Sequence, residues 1–373
     1  MKITFILPQA GMAGGIRVIA IYAKRLMDRG HKVFVVSQPL PHPSWRDHMR
    51  SLVTHRRLKA MPEVPPSYFD DLAIPHRILE RTRPVTDNDV PDADVIVATW
   101  WETAEWVAQL SSKKGAKAYF IQHHEIFDYL PIERVKATWS LPMHKITISQ
   151  WLVDLAREEY GDNNVSRVPN SVDTDQFHAP PRGRQPMPTV GLLYSEASWK
   201  GCDIGLAAFT RAAEKISKLL LISFGCSPPI KSLPLPNGTK FYLCPAQHKL
   251  RDLYAECDAW LFCSRSEGFG LPILEAMACR TPVIATPAGA APELLNTGGG
   301  LLVHREDPQD MSQAIIQICQ MSDEQWRKSS DEAYAKALSY TWDNATDQFL
   351  AALTLAIERS RRGDLAHKLT SLY

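Results

Sequence analysis

Residues 266–278 read Ser266-Glu267-Gly268-Phe269-Gly270-Leu271-Pro272-Ile273-Leu274-Glu275-Ala276-Met277-Ala278 and follow an apolar run that ends near Cys263. The apolar run predicts a buried strand, and Pro272 suits the first turn of a helix, where its missing N–H costs nothing. Strand, glycine-bearing turn and helix N-terminus together predict an anion site, because unpaired N–H groups and the helix dipole converge there. Gly268 and Gly270 would let a diphosphate approach the backbone without a Cβ in the way.

Two glutamates flank this turn. Glu275 is expected about one turn into the helix, where its carboxylate can accept both hydroxyls of a ribose, as acidic residues do in other nucleotide sites. Glu267 precedes the helix, on the side where a sugar would lie. The two carboxylates are therefore expected to bracket a diphosphate rather than to pair with each other.

Strand-like runs alternate with helical patterns over most of the chain. The runs are 3–7, 32–37, 95–99, 118–121 and 146–149 in the first half, and 190–194, 219–224, 240–243, 260–263 and 283–285 in the second. Ile16–Arg29 has helical spacing, with Gly30 placed to cap the helix, and further helices are expected over about 307–320 and 323–360, with a break near Thr341. The alternation predicts an α/β protein with mainly parallel sheets covered on both faces.

The length of 373 residues exceeds what one core usually organises, so two domains are expected. A polar segment with four prolines (Pro180, Pro181, Pro186 and Pro188) predicts a linker. The predicted divisions are an N-terminal domain over 1–172, a linker over 173–188, a C-terminal domain over 189–340 and a helical segment over 341–373. Residues 38–92 interrupt the alternation with prolines and arginines and are interpreted as an irregular excursion.

Composition and charge limit the partners and the location. Lys and Arg number 42 against 41 Asp and Glu, so no global charge indicates a nucleic acid as partner. The N-terminal apolar run is too short for a signal peptide, and no stretch approaches the length of a membrane span. The seven cysteines lack C-x-x-C spacing, which predicts reduced, mostly buried thiols in a cytoplasmic protein.

Glu267 and Glu275, with seven residues between them, resemble the E-x7-E motif of retaining GT-B glycosyltransferases of family four. Further segments resemble that family in order along the chain: Gly14-Gly15 with the following helix and 29–33, then 169–173, then 282–286 and 292–294. The resemblance implies two Rossmann-like domains facing a central cleft, with the C-terminal helix crossing back to the N-terminal domain. It also implies transfer of a sugar from a nucleotide-diphosphate sugar to a hydroxyl acceptor, which is a glycan, a glycolipid or a small molecule.

The same resemblance implies roles for individual residues. Lys200 would neutralise the diphosphate leaving group, Glu267 would bind sugar hydroxyls and Glu275 the ribose. A family histidine beside the donor sugar corresponds to His123 or His124, with His124 slightly favoured. The backbone positions implied to lie against the sugar and phosphates are Gly14 and Gly15 in the N-terminal domain and Gly268, Phe269, Gly270 and Leu271 in the C-terminal domain.

The sequence departs from the family at one position of the expected clamp. An alignment on Lys200-Gly201 puts Tyr194 where the family usually has an arginine. A phenol cannot neutralise phosphate charge as a guanidinium does. Arg265 and Arg17 are the candidates for a substitute cation.

The expected chemistry needs neither a metal nor a bound cofactor. Lys200 and the helix N-terminus would offset the charge of the departing diphosphate, which is electrostatic catalysis by preorganised groups. The family is thought to use the departing phosphate oxygen to deprotonate the acceptor, so no general base is assigned. The D-x-D strings at 92–94 and 173–175 are interpreted as turn and capping residues rather than as metal ligands.

Several alternatives stay open at this point. The chain could be a nucleotide-sugar-binding protein with weak or no transfer activity, or another GT-B enzyme such as an epimerase. A nicotinamide oxidoreductase is disfavoured, since 11–15 is not G-x-G-x-x-G and no acidic residue follows the second strand. Residues 45–59 mix basic and apolar side chains, which fits either a peripheral contact with anionic lipids or a solvated basic face. The tryptophans at 100, 101, 106 and 139 could stack on a sugar, but core packing is the more usual role.

Overall fold

The computed structural model of the protein describes residues 1–40 and 66–365. The chain divides into two compact units. Unit 1 contains Met1–Thr147, Leu155–Ser166 and the chain from Thr346 onward, and unit 2 contains Ile148–Asp154 and Arg167–Ala345. The basic stretch 45–59 lies outside the described residues, as does part of the predicted excursion over 38–92.

Within the described residues, the first sheet has seven strands, and one of its inner strands is buried on both faces. Its strands are β1 (Lys2–Gln9), β2 (Lys32–Gln38), β3 (His76–Ile78), β4 (Val95–Ala98), β5 (Ala116–Ile121), β6 (His144–Thr147) and β7 (Ser166–Arg167). They lie in the order β3-β2-β1-β4-β5-β6-β7, and the pairs from β3 to β6 are parallel. Because Ile3, Phe5 and Ile6 of β1 are all buried, this strand reads as a continuous apolar run.

In the part of the chain that the structure describes, four helices accompany this sheet before the chain enters the second one. They are α1 (Gly14–Asp28), α2 (Trp101–Gln109), α3 (Ile132–Thr138) and α4 (Gln150–Tyr160). Gly30 ends α1 as predicted. Its φ is +84°, its N–H donates to the Met27 carbonyl, and the N–H of His31 donates to the Leu26 carbonyl. Glycine adopts this left-handed conformation without steric cost.

The second sheet has six strands, and every neighbouring pair is parallel. Its strands are β8 (Thr189–Leu193), β9 (Leu220–Gly225), β10 (Lys240–Leu243), β11 (Ala259–Phe262), β12 (Val283–Ala285) and β13 (Gly300–Leu302). They lie in the order β10-β9-β8-β11-β12-β13. The helices of this unit are α5 (Cys202–Ala213), α6 (Leu250–Ala255), α7 (Leu271–Ala278), α8 (Ala291–Leu295), α9 (Pro308–Gln320) and α10 (Asp323–Leu338).

Residues 173–188, which the prolines predict to be a linker, belong to unit 2 and pack on it. The Arg182 guanidinium donates to the Cys257 carbonyl and to the Thr281 hydroxyl, and it lies 4.4 Å from the ring centroid of Trp326. The unit limits therefore differ from the predicted divisions at 172, 188 and 340. They differ again at 148–154, because the start of α4 belongs to unit 2.

The last helix, α11 (Trp342–Arg362), returns to unit 1 from Thr346 onward. Phe349 is fully buried there, and its ring stacks on Tyr22 at a centroid distance of 4.4 Å. The Arg359 guanidinium donates to His144 Nδ1 at 2.8 Å. The predicted return of the C-terminal helix to the N-terminal unit is thus confirmed.

The predicted α/β fold with two Rossmann-like domains is confirmed, and the misses are short or shifted strands. The run predicted over 146–149 is β6 at His144–Thr147, because Ser149 already leads into α4. The sequence pattern did not indicate β3, β7 or β13, which have two or three residues each. So short a strand carries too little alternation to be recognised.

Candidate functional site

The order of the second sheet indicates where unit 2 binds a ligand. The strands β8 and β11 are neighbours, but the chain runs from β8 towards β9 on one side and from β11 towards β12 on the other. In doubly wound sheets, ligands bind beyond the carboxyl ends of the strands at such a switch point. The turns that leave β8 and β11, residues 194–201 and 263–270, therefore form the candidate edge.

Lys200 and Glu267 meet at this edge. The Lys200 ammonium donates to Glu267 Oε1 at 2.6 Å, and the Ser264 hydroxyl donates to the same oxygen at 2.8 Å. The side chains of Lys200 and Glu267 are 29% and 15% exposed. The sequence predicted both residues for the site but not their ion pair or the contribution of Ser264.

Backbone contacts hold the two turns together. Gly201 has φ +59°, and a Cβ on it would lie 2.0 Å from the Cys263 carbonyl oxygen, so this position needs glycine. The Arg265 N–H donates to the Trp199 carbonyl at 2.8 Å. The turn that carries Lys200 is therefore pressed against the end of β11, which places Lys200 beside Glu267.

The helix α7 begins at this edge with a glycine at its N-cap. Gly270 has φ +100°, no side chain caps the helix, and a Cβ would lie 2.8 Å from the Phe262 ring. The Gly268 carbonyl accepts from the Ser149 hydroxyl and from Trp151 Nε1, both at 2.9 Å. The Phe269 carbonyl accepts from the Ala290 N–H at 2.8 Å. These hydrogen bonds fix the turn before α7, and this turn holds the N-terminus of α7 at the carboxyl edge of the sheet.

Glu275 is buried within α7, with 7% of its surface exposed. Its Oε2 accepts from the Tyr254 hydroxyl at 2.9 Å, and the Tyr254 ring packs edge-on against Trp260 at 4.5 Å. Glu275 and Glu267 thus have different hydrogen-bond partners. Tyr254 thus holds the Glu275 carboxylate in place. The sequence did not predict this role, because Tyr254 lies in no recognisable motif.

The enclosed space at this edge is small. Lys200, Glu267, Ser264 and Pro272 line a cavity of about 20 Å³ together with the ends of β8 and β11, which is room for about one water molecule. This cavity is therefore too small to enclose a ligand larger than water. A wider hollow follows the solvent side of α10, but it is lined by residues of that helix alone and contains none of the predicted site residues.

Tyr194 and the two predicted substitutes for the clamp cation, Arg265 and Arg17, lie in different surroundings. Tyr194 is buried and anchors a loop, since its hydroxyl donates to the Leu233 carbonyl and accepts from the Ile230 N–H. Arg265 lies in ion pairs with Asp203 and Glu306, at 2.7 and 2.6 Å, so two carboxylates already match its charge. Arg17 lies in the first turn of α1 in unit 1.

In unit 1 the predicted glycines are the first two residues of α1, the helix that follows β1. Gly14 is exposed, and a Cβ added there would have no neighbour within 4 Å. Gly15 approaches Gln122 closely, and its carbonyl accepts from the Gln122 side chain at 3.1 Å. The N-cap residue of α1 is Ala13, so no cap side chain accepts from the first backbone N–H groups of the helix.

The two histidines after β5, both predicted as candidates, have different surroundings. His124 is buried, with Nε2 2.8 Å from the Tyr160 hydroxyl, and burial lowers the pKa of its imidazole to about 4. His123 is half-buried and donates from Nδ1 to the His124 carbonyl at 2.8 Å. His123 is therefore the more accessible of the two rings, and His124 packs against Tyr160 and Trp139.

An aromatic stack extends from His123 along the loop after β5. His123 stacks on Phe127 with centroids 5.1 Å apart, and Phe127 stacks on Tyr129 at 5.5 Å with an interplanar angle of 6°. Tyr129 is 67% exposed. The tryptophans considered above are instead buried (Trp101, Trp139) or half-buried (Trp100, Trp106). Loop residues have no periodic pattern, so the sequence analysis could not find this stack.

Glu125 also lies in this loop, where no sequence motif marks it. Its side chain is buried, and Oε2 accepts from the Trp101 N–H at the start of α2 at 3.1 Å. Burial raises the pKa of this carboxyl well above its ordinary value. Glu125 therefore fixes the loop that carries His123 to the N-terminus of α2.

The D-x-D strings have ordinary structural partners. Asp173 Oδ1 accepts from the N–H groups of Asp175 and Gln176, and Asp92 forms an ion pair with Lys114 at 2.8 Å. Within residues 1–40 and 66–365, no group of three or more His, Cys, Asp and Glu side chains has the arrangement of a metal site. No helix in the same ranges is long and apolar enough to cross a membrane.

Comparison with known families matches both halves of the chain. Residues 12–176 match the family described as "Glycosyltransferase Family 4", and residues 187–321 match "Glycosyl transferases group 1". The chain belongs to the family-four GT-B glycosyltransferases. Lys200, Glu267 and Glu275 of this glycosyltransferase lie in the group 1 segment, and His123 and His124 lie in the family-four segment.

Two relatives resemble parts of this glycosyltransferase. O-antigen chain mannosyltransferase B of Escherichia coli is 36% identical over 104 residues, which are 28% of this chain and 26% of that protein. D-inositol 3-phosphate glycosyltransferase of Mycobacterium tuberculosis is 35% identical over 173 residues, which are 41% of this chain and 36% of that protein. The matched segments thus span less than two thirds of either relative.

Solved structures share the whole fold at lower identity. Sucrose-phosphate synthase from Thermosynechococcus elongatus has a TM-score of 0.69 at 16% identity, over 99% of this chain and all of that chain. Anabaena HepE, solved in complex with UDP and glucose, has a TM-score of 0.69 at 19% identity, over 95% and 99% of the two chains. Both confirm the GT-B fold.

Proposed function

We propose that this glycosyltransferase moves a sugar from a nucleotide-diphosphate sugar, held by unit 2, to a hydroxyl of a carbohydrate acceptor. The observation that carries the proposal is the Lys200–Glu267 pair beside the N-terminus of α7, at the switch point of the sheet. A cation and unpaired helix N–H groups are what a diphosphate needs. HepE was solved with UDP, which makes UDP the first nucleotide to test.

The ion pair suggests how donor binding starts. Lys200 has one carboxylate partner at 2.6 Å, and a diphosphate offers it a larger negative charge. When Lys200 turns to the phosphates, Glu267 loses its ammonium partner and its oxygens become acceptors for sugar hydroxyls. Glu275, held by Tyr254, accepts the ribose hydroxyls from within the helix.

Catalysis in this proposal is electrostatic. Breaking the anomeric C–O bond leaves negative charge on the nucleoside diphosphate, which Lys200 and the N-terminus of α7 stabilise because they are fixed before the reaction. The departing phosphate oxygen takes the acceptor proton on the same face of the sugar, so the anomeric configuration is retained. Lysine and backbone N–H groups supply the charge that a metal supplies in other transferases, so we propose metal-independent transfer.

The aromatic stack of unit 1 supports a carbohydrate acceptor. Tyr129 is exposed and lies parallel to Phe127, which in turn stacks on His123. The C–H groups on one face of a pyranose pack on the electron-rich face of an aromatic ring. We therefore assign the acceptor to this loop, with Tyr129 under a sugar ring and His123 among its polar contacts.

Binding and transfer can be measured separately. Thermal shift with a panel of nucleoside diphosphates and their sugars should give a rise in Tm for one base, and diphosphate release should then require a carbohydrate acceptor. Nuclear magnetic resonance of the product would report the anomeric configuration, and turnover should persist in EDTA. No stabilisation by any nucleotide would contradict the donor site.

The structural role of Tyr194 favours a second candidate. If no other cation joins Lys200, the chain binds a nucleotide sugar without transferring it. Stabilisation by a nucleotide sugar without diphosphate release, on any acceptor or in water, would support this binding protein. A GT-B epimerase would instead change the donor sugar without an acceptor, which chromatography of the sugar detects.

A further inference from the structure

Two of the seven cysteines are exposed, and they are neighbours. Cys202, Cys257, Cys263, Cys279 and Cys319 are buried, whereas Cys226 and Cys244 are exposed. Cys226 directly follows β9, and Cys244 directly follows β10. The sequence separates them by 18 positions, so only the pairing of the two strands brings them together.

The strand register sets the two thiols side by side. The last pair of the β9–β10 ladder is Gly225 with Leu243, and the Cys244 N–H then donates to the Gly225 carbonyl at 2.8 Å. Cys226 and Cys244 therefore directly follow the last pair of two neighbouring strands, which lie about 4.8 Å apart, and the backbone turns at Cys244, whose φ is +44°. A disulfide needs Cα atoms about 4.4–6.8 Å apart, so this spacing suits one.

The side-chain contacts agree with this register. Cys244 Sγ donates to the Cys226 carbonyl oxygen at 3.3 Å. Partial burial and the adjacent Cys244 thiol both raise the pKa of the Cys226 thiol. The buried cysteines also have raised pKa values, but burial shields them from reagents in solution.

We propose that Cys226 and Cys244 form a dithiol site that reacts with small-molecule disulfides to give a reversible intramolecular disulfide. One thiolate attacks a sulfur of the small disulfide, forms a mixed disulfide and expels the first small thiolate. The second protein thiolate then attacks the protein-bound sulfur and expels the second small thiolate. Two protein thiols are oxidised to one disulfide, and the small disulfide is reduced to two thiols.

The crosslink closes a loop at the candidate donor edge. Residues 226–244 begin and end at the carboxyl ends of β9 and β10, the side of the sheet that also carries Lys200 and Glu267. Tyr194 anchors the middle of this loop through Ile230 and Leu233, and it lies in the turn that leads to Lys200. Oxidation would therefore restrain the loop beside the donor site.

The test treats the full-length protein with oxidised glutathione and maps the peptides by mass spectrometry. We expect a Cys226–Cys244 crosslink that dithiothreitol reverses, that forms faster as the pH rises above 8, and that raises the Tm by roughly 5 °C, because the crosslink restricts the unfolded chain. Cys226→Ser is the control: without a second thiol, its Cys244 should keep a glutathione adduct.

Phenylarsine oxide provides a second readout, because it bridges two neighbouring thiols. The reduced wild type should bind it reversibly at this site, and neither Cys226→Ser nor Cys244→Ser should. Separate glutathione adducts on both cysteines of the wild type would overturn the proposal, as would a crosslink between other cysteines. These outcomes do not depend on sugar transfer, so the proposed function stands or fails independently.

Discussion

At the scale of single residues, Lys200 carries the charge on which the proposed transfer depends. Lys200→Ala should lower kcat by about 100-fold, because a preorganised group that stabilises leaving-group charge acts mainly in the transition state. Diphosphate release under saturating donor would measure this effect. Lys200→Arg is the matched control and should retain more activity than Lys200→Ala. Equal kcat in the wild type and Lys200→Ala would contradict the role.

Glu275 should act on binding rather than on the chemical step. Glu275→Gln keeps the shape of the side chain but removes the charge that accepts ribose hydroxyls, so the Kd for UDP should rise about tenfold, or about 1.4 kcal/mol. Isothermal titration calorimetry would measure it. Tyr254→Phe removes the hydroxyl that holds Glu275 at 2.9 Å and should give a smaller rise. An unchanged Kd for UDP in Glu275→Gln would contradict ribose binding by Glu275.

At the scale of elements, the start of α7 depends on a glycine. Gly270→Ala forces φ +100° on a residue with a side chain and places its Cβ 2.8 Å from Phe262, so unfolding should become easier by about 2 kcal/mol. Gly14→Ala is the matched control, because its Cβ meets nothing within 4 Å. Urea denaturation followed by fluorescence compares the two variants, and equal midpoints would contradict the strain argument.

The loop after β5 makes a separate prediction about the acceptor. Tyr129→Ala should raise the KM for a carbohydrate acceptor several-fold and leave the Kd for UDP unchanged, because it removes only a stacking surface of about 1 kcal/mol. Tyr242→Ala, which removes a partly exposed tyrosine of β10, serves as the control. A KM that does not respond to Tyr129→Ala would exclude this loop from acceptor binding.

At the scale of the whole molecule, the return of α11 to unit 1 depends on a neutral histidine. His144 is fully buried, its Nδ1 accepts from Arg359, and its other ring nitrogen lies 2.9 Å from the Ser166 hydroxyl. Burial, then the Arg359 charge, lower the pKa of its imidazole to about 4. Protonation of His144 would place an N–H at Nδ1, so that the ring could no longer accept from Arg359 and its positive charge would repel the guanidinium.

This contact should make unit 1 sensitive to acid. An unfolded histidine has a pKa of about 6.5, so between pH 6.5 and 4 the unfolded chain binds a proton that folded His144 refuses, and stability falls as the pH falls. His144→Gln keeps both hydrogen bonds without titrating and should lose less Tm between pH 7 and 5. Glu125 titrates in the opposite sense in both proteins, so the difference isolates His144. Identical pH profiles would contradict the assignment.

The sequence by itself determined most of the strands and helices and predicted the residues of the candidate site. Apolar runs and helical spacing predicted the main strands and helices, and the turn after β11 predicted an anion site between Glu267 and Glu275. These predictions depend on patterns within a few neighbouring residues, where periodicity and turn chemistry act directly. Gly30 ended α1 for the same local reason.

Only the tertiary structure decided which residues meet. Lys200 contacts Glu267 across 67 positions of sequence, and Cys226 and Cys244 are neighbours through the register of two strands. The difference in exposure between His123 and His124 follows from burial of His124 against Tyr160, which lies 36 positions away. Strand order, register and the return of α11 bring distant residues together, and no local pattern encodes those distances.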